Sequence, residues 1–85
     1  MRHFKDPRFR QCYEALPIDV RESADRAFAL LKRNPRHPSV RFKPIRDHLW
    51  SARLGLRHRA LALRCDDGYQ WFWIGTHADY DRLIG

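Results

Sequence analysis

Apolar positions along this chain change their period once, near Pro38, dividing it into a helical half and a stranded half. Asp6-Pro7 pairs a side chain suited to an N-cap with proline at the first helical position. Phe9, Cys12, Tyr13 and Leu16 then recur at i, i+3, i+4 and i+7, which predicts an amphipathic helix ended by Pro17. Asp19 and Glu22 have the spacing of a capping box. Val20, Ala24, Ala27, Phe28 and Leu31 line one face of a second helix, which stops at Asn34-Pro35. Two helices joined by a proline corner should form an antiparallel hairpin.

Beyond Pro38 the apolar positions alternate. Val40 to Ile45 reads as a first strand and Leu49 to Leu54 as a second. Arg57 to Cys65 and Tyr69 to Ile74 follow, joined by Asp67-Gly68, a two-residue hairpin signal. Thr76 can cap a last short helix, with Asp79 as its reciprocal carboxylate. The expected fold is α+β: an N-terminal helical hairpin packed on a roughly four-stranded, mainly antiparallel sheet, with a short C-terminal helix. At 85 residues this is a single domain, 1–85.

Charge narrows the partners. Seventeen Lys and Arg against ten acids give a formal charge of +7, which favours a polyanion. No apolar run approaches the roughly 18 residues needed to span a bilayer, so no membrane partner is expected. Met1-Arg-His-Phe-Lys-Asp6 lacks the apolar core of a signal peptide, so a cytoplasmic location is expected. Cys12 and Cys65 fit no metal-ligand spacing, and Cys65 alternates with Leu61 and Leu63 as a small core residue would. The histidines are scattered, so neither metal nor other cofactor is expected.

Six cations, Lys32, Arg33, Arg36, Arg41, Lys43 and Arg46, precede Asp47 with no acid among them. Such a run suits a phosphate backbone, although a solvated loop has the same composition. Alternation then places Arg57, Arg59, Leu61 and Leu63 on one strand face, and His58, Ala60, Ala62 and Arg64 on the other. Arg59 stands at the polar end of an apolar stripe, where a guanidinium can clamp a phosphate and stabilise a pentavalent transition state. An edge arginine paired with Asp47, Asp79 or Asp81 would look the same. His77 follows Thr76 at the first position of a helix, where the dipole disfavours the imidazolium. A neutral imidazole there can take the proton of a ribose 2′-hydroxyl, unless it merely packs at the junction. Tyr69, Trp71 and Trp73 share one face of their strand, either as a platform for bases or as the bulk of the core. Tyr80 and Arg82 lie within reach of the same junction.

Together these segments resemble the RelE/ParE toxin superfamily over roughly residues 4–85. The resemblance is carried by the helical hairpin ending in Asn34-Pro-Arg-His-Pro38, by Leu49-Trp-Ser-Ala-Arg-Leu54 and by Arg57-His-Arg-Ala-Leu61. The most specific stretch is Trp71-Phe-Trp-Ile-Gly-Thr-His-Ala-Asp-Tyr-Asp-Arg-Leu-Ile84. It implies a sheet with two N-terminal helices packed on it and a basic cleft. RelE-like members cut messenger RNA on the ribosome without a metal, by attack of the 2′-hydroxyl on the adjacent phosphate. ParE-like members inhibit DNA gyrase instead. Both are neutralised by a small antitoxin, expected here to be acidic and DNA-binding. Arg59 matches the arginine of the family's Tyr-Arg strand motif, with His58 in place of the tyrosine. His77 matches the position after the Gly-x turn that holds the catalytic group of the RNA-cleaving branch. Arg53 and Lys43 match by strand position, and Tyr80 is the counterpart of a C-terminal tyrosine. The family's first strand is expected to be absent or cut short, and the paired lysines of the most active branch are not evident.

The expected function is therefore that of a toxin acting as an mRNA endoribonuclease with ribosome and mRNA as partners. His77, Arg59, Arg53 and Tyr80 would form its site, and Lys43, Arg41, Arg46 and Arg57 would bind RNA. A gyrase inhibitor or a non-toxic binding relative of the same fold is the alternative.

Overall fold

In the computed structural model, which describes residues 2–85, the elements run β1 (Arg2–Lys5), α1 (Pro7–Glu14), α2 (Ile18–Arg33), a 3-10 turn (Pro38–Val40), β2 (Lys43–Arg46), β3 (Leu49–Arg53), β4 (His58–Cys65), β5 (Gly68–Thr76) and α3 (His77–Ile84). The strands form one mixed sheet in the order β1-β5-β4-β3-β2, with β1 parallel to β5 and every other pair antiparallel. The architecture is the expected α+β one, with a fifth strand added. That strand is β1: the segment expected to run almost straight into the first helix instead pairs Arg2 to Lys5 with Gly68 to Trp71.

Asp6 ends β1 and caps α1, its carboxylate accepting from the Arg8 N–H at 2.8 Å. The Arg8 side-chain and backbone donors hold that carboxyl below the usual range. The expected cap of α2 is absent. Pro17 occupies the N-cap and the helix starts at Ile18, so Asp19 sits inside the first turn. The corner is tied by Arg21 instead, whose guanidinium donates to the carbonyls of Leu16 (2.8 Å) and Glu14 (3.0 Å). Tyr13 Oη donates to Asp25 at 2.8 Å and completes the hairpin.

The expected strand from Val40 to Ile45 is also corrected. His37 Nδ1 accepts from the Ser39 N–H and closes a 3-10 turn. Arg41 follows at φ 43, a left-handed residue that breaks any extended run before Lys43. Val40 is buried as a plug of the core. At the other hairpin, Cys65 pairs with Gly68, so the two-residue loop is Asp66-Asp67, one position earlier than expected.

The core lies between the helices and one sheet face. Phe28 and Leu31 of α2 meet Ala60 and Ala62 of β4 and Trp71 of β5. Phe28 stands edge-on to Trp71 at 5.5 Å. Alanines under two helices leave room for these large rings. Leu61, Leu63 and Cys65 alternate onto the opposite face, so Cys65 is not the small core residue expected. Both cysteines are free and half-buried. None of the described helices is long and apolar enough to cross a membrane.

Candidate nucleic-acid cleft

Strand register assembles the candidate site on the sheet face turned away from α1 and α2. Directly paired residues point the same way. One row across the sheet is therefore Arg53, Arg59 and Gly75, and the next is Lys43, Ser51, Leu61 and Trp73. Trp73 reaches this face through a bulge: Ala62 pairs with Trp71 and Leu61 with Trp73, leaving Phe72 over. The expectation that Trp71 and Trp73 share a face is thus overturned, because one extra residue inverts everything after it. The Trp73 ring leans over Gly75, where an added Cβ would meet it at 2.5 Å.

The α3 helix roofs part of this face. Thr76 caps it by accepting from the Asp79 N–H at 3.1 Å, and the His77 N–H donates to the Arg57 carbonyl at 2.8 Å. The expected reciprocal role of Asp79 is not seen; its carboxylate pairs with Arg82. At the far end Arg46 donates to the Ile84 carbonyl at 3.0 Å, satisfying one of the helix's last acceptors.

His77 and Asp81, one turn apart on α3, are 3.1 Å apart, Nδ1 to Oδ2. A carboxylate only accepts, so Nδ1 must be the protonated nitrogen, which leaves Nε2 with a free lone pair when the ring is neutral. Tyr80 lies beside His77, ring centroids 6.0 Å apart, and the Arg59 guanidinium sits 5.7 Å from the Tyr80 ring. Arg59 Nε and Ser51 Oγ are buried without a hydrogen-bond partner among the described residues. Ion pairs among those residues join Arg2 to Asp67, Arg8 to Asp6, His77 to Asp81 and Arg82 to Asp79. None includes Arg53, Arg59 or Lys43, so the reading of Arg59 as an edge arginine paired with Asp47, Asp79 or Asp81 fails. Arg53 and Arg59 are direct cross-strand partners of like charge, but their guanidiniums part: that of Arg53 donates to the Leu56 carbonyl at 3.5 Å, and that of Arg59 turns to the Tyr80 ring.

Of the expected residues, then, His77, Arg59 and Tyr80 are brought together at one end of the sheet; Arg53 pairs with Arg59 in register but donates to the Leu56 carbonyl, and Lys43 lies one row away. The others are not. Arg57 belongs to the β3–β4 turn rather than the strand, and lines a cavity with Asp19 and Ser23 of α2. Arg41 sits at the left-handed bend before β2, and Arg46 donates to the end of α3. Sequence reasoning missed Asp81 as the partner of His77, although the i, i+4 spacing on a helix was there to be read. Ser51 and Trp73 had no such local signal. Among the described residues, no three His, Cys, Asp or Glu side chains are grouped to hold a metal.

A family model described as a ParE-like toxin domain matches residues 19–82. No curated protein sequence matches the chain closely enough to be called a relative. Among solved structures, YafQ from E. coli strain BL21(DE3) is similar at a TM-score of 0.71, with 13% identity over 93% of this chain and 96% of that one. A YoeB/ParE toxin from Agrobacterium tumefaciens is similar at a TM-score of 0.66, with 17% identity over 91% of this chain and 99% of that one. A copper-bound mutant toxin from Helicobacter pylori is similar at 0.62, with 13% identity over 93% and 97%. At these identities the likeness is one of fold.

Proposed function

Because this chain belongs to the ParE-like toxin family, within the RelE/ParE superfamily, we propose that it is the toxin of a type II toxin–antitoxin pair and cleaves messenger RNA on the ribosome in the cytoplasm. The observation that carries this reading is the His77–Asp81 pair set beside an arginine with no carboxylate partner.

In this mechanism Asp81 holds the His77 ring with Nε2 free to take the proton of a ribose 2′-hydroxyl. The 2′-oxygen bonds to the adjacent phosphorus, the bond from phosphorus to the 5′-oxygen breaks, and a 2′,3′-cyclic phosphate remains. The departing 5′-oxygen takes its proton from the Tyr80 hydroxyl or from water. Arg59 and Arg53 neutralise charge building on the phosphoryl oxygens, where fixed donors stabilise a transition state best. Lys43 extends the path of the RNA along the sheet. Proton transfer by a positioned histidine contributes about 10²–10⁴-fold to rate. A small acidic antitoxin would neutralise the toxin by covering these cations.

The test is induced expression in bacteria, with transcript 5′ ends mapped within minutes. New ends inside coding regions, lost in His77→Ala and Arg59→Ala at equal soluble expression, are the expected result. Growth arrest with intact transcripts and damaged DNA would replace this reading with gyrase inhibition. Absence of arrest would leave a binding relative.

A further inference from the structure

On the opposite, helix-bearing face of the sheet lies a second cavity of about 360 Å³, walled by Phe42, Trp50 and Tyr69 and completed by His3, Pro35 and Arg36. The three aromatic rings lie 4.8 to 5.1 Å apart in pairs, at tilted or edge-on angles. Phe42 and Trp50 pack against the core but are only half-buried, so their remaining ring surface faces the cavity. Its size is that of a small-molecule site. His3 adds one polar group: its Nδ1 accepts from Trp71 Nε1 at 3.1 Å, so the ring proton of the neutral form is on Nε2.

Cations flank the rings. Arg36 lines the cavity and is exposed. Arg64 lies with its guanidinium 5.7 Å from the Tyr69 ring and donates to Tyr69 Oη at 3.3 Å. Neither forms an ion pair among the described residues. An apolar peptide side chain would use the rings but not the arginines. A base between two phosphates uses both: the ring faces stack it and the guanidiniums meet the backbone on either side.

We propose that this cavity is a nucleobase subsite, in which single-stranded RNA places one base against Trp50 and Phe42 and its flanking phosphates on Arg36 and Arg64. The subsite rests on the reading of RNA as substrate, and adds a contact remote from the cleavage chemistry. It would hold RNA, messenger or ribosomal, independently of the cleft on the other face.

The experiment uses full-length protein carrying His77→Ala, so that RNA stays intact. Short single-stranded RNAs containing 4-thiouridine are cross-linked by light and the attachment sites found by mass spectrometry. Affinity is measured by anisotropy with Trp50→Leu, Arg36→Ala and Arg53→Ala added singly. Cross-links at Trp50, Phe42 or Tyr69 are expected, with Trp50→Leu weakening binding roughly tenfold, as for loss of one stacked base. Arg36→Ala, at an exposed position, should weaken it several-fold without affecting the melting temperature, which keeps the test valid if Trp50→Leu folds poorly. RNA binding that falls with Arg53→Ala but is indifferent to Arg36→Ala and Trp50→Leu, with no cross-link in the cavity, overturns the subsite and leaves the cleft reading intact. If RNA binds to none of these proteins, both readings fall. An acidic peptide bound through Trp50, with RNA binding unaffected, would make the cavity a protein-docking site and overturn the proposal.

Discussion

Replacing Gly68 by alanine should strip β1 from the sheet. An added Cβ at this position overlaps the Arg2 carbonyl oxygen, and would stand 2.7 Å from the Arg2 carbonyl carbon and 2.8 Å from its nitrogen. Carbon atoms are comfortable at roughly 3.5–4 Å, and backbone cannot rotate aside as a flexible side chain can. Gly68 has no left-handed φ, so the requirement is for space and not for a special backbone conformation. To admit the methyl group β1 must withdraw, weakening the bonds at its two ends, Arg2 N–H to Asp67 O at 3.0 Å and Asp6 N–H to Trp71 O at 2.8 Å. His3 would move with it and leave the N–H of the fully buried Trp71 indole without its acceptor. Overpacking costs about 1–3 kcal/mol, and an orphaned buried donor about 1–3 kcal/mol more. The variant should therefore lose roughly 2–6 kcal/mol, a large share of the ~4–13 kcal/mol typical of a domain this size. At about 4–8 °C per kcal/mol, its melting temperature should fall by ~10 °C or more. Urea unfolding followed by tryptophan fluorescence measures this directly. A loss below about 0.5 kcal/mol, at the scale of ordinary surface substitutions, would refute the close approach of β1 as the reason for this glycine.

Three further outcomes are expected. Burial holds the imidazoles of His3 and His58 below their ordinary value, with Lys32 adding to the effect at His3. The unfolded chain therefore binds these protons more readily, so stability should be complete above pH 6.5, the unperturbed histidine value, and fall as the pH drops through it. Urea midpoints from pH 8 to 5 test the sign, and a midpoint that rises on acidification contradicts it. Arg53→Met should leave stability unchanged or raise it by about 0.2–1 kcal/mol, because it relieves a like-charge cross-strand pair. The same variant should flatten the salt dependence of RNA binding by roughly 0.7 in log–log slope, one phosphate contact. A large loss of stability on chemical denaturation would assign Arg53 a structural role instead.

Features set by neighbours in sequence were legible in it. Asp6-Pro7 starts α1, Thr76 caps α3, and Asn34 ends α2, because caps and breakers act within one turn of the residues they govern. Pro17 makes the corner that its position predicts, but the cap expected at Asp19 does not form. Arg21, reaching back to two carbonyls of the preceding segment, supplies the tie between the helices instead. The family's motif placed His77 and Arg59 without reference to contacts. That they meet through Tyr80, and that Asp81 orients His77, are facts of three dimensions.

The chain alone determined the change from helical to alternating period, hence the α+β class, and the concentration of positive charge that favours a polyanion. Tertiary structure decided which face of each strand is core. Leu61 and Leu63 are the larger apolar residues, yet the helices pack over Ala60 and Ala62, since only small side chains leave room for Phe28 and Trp71; Leu63 stays 44% exposed. It decided β1, whose four residues have no alternation to read and are held by parallel pairing with the far end of the chain. It also decided the orientation of Trp73, because a bulge at Phe72 exists only in relation to its partner strand. Period and capping are local interactions and survive in a linear reading. Register and close approach are relations between distant segments, and they exist only once the chain has folded.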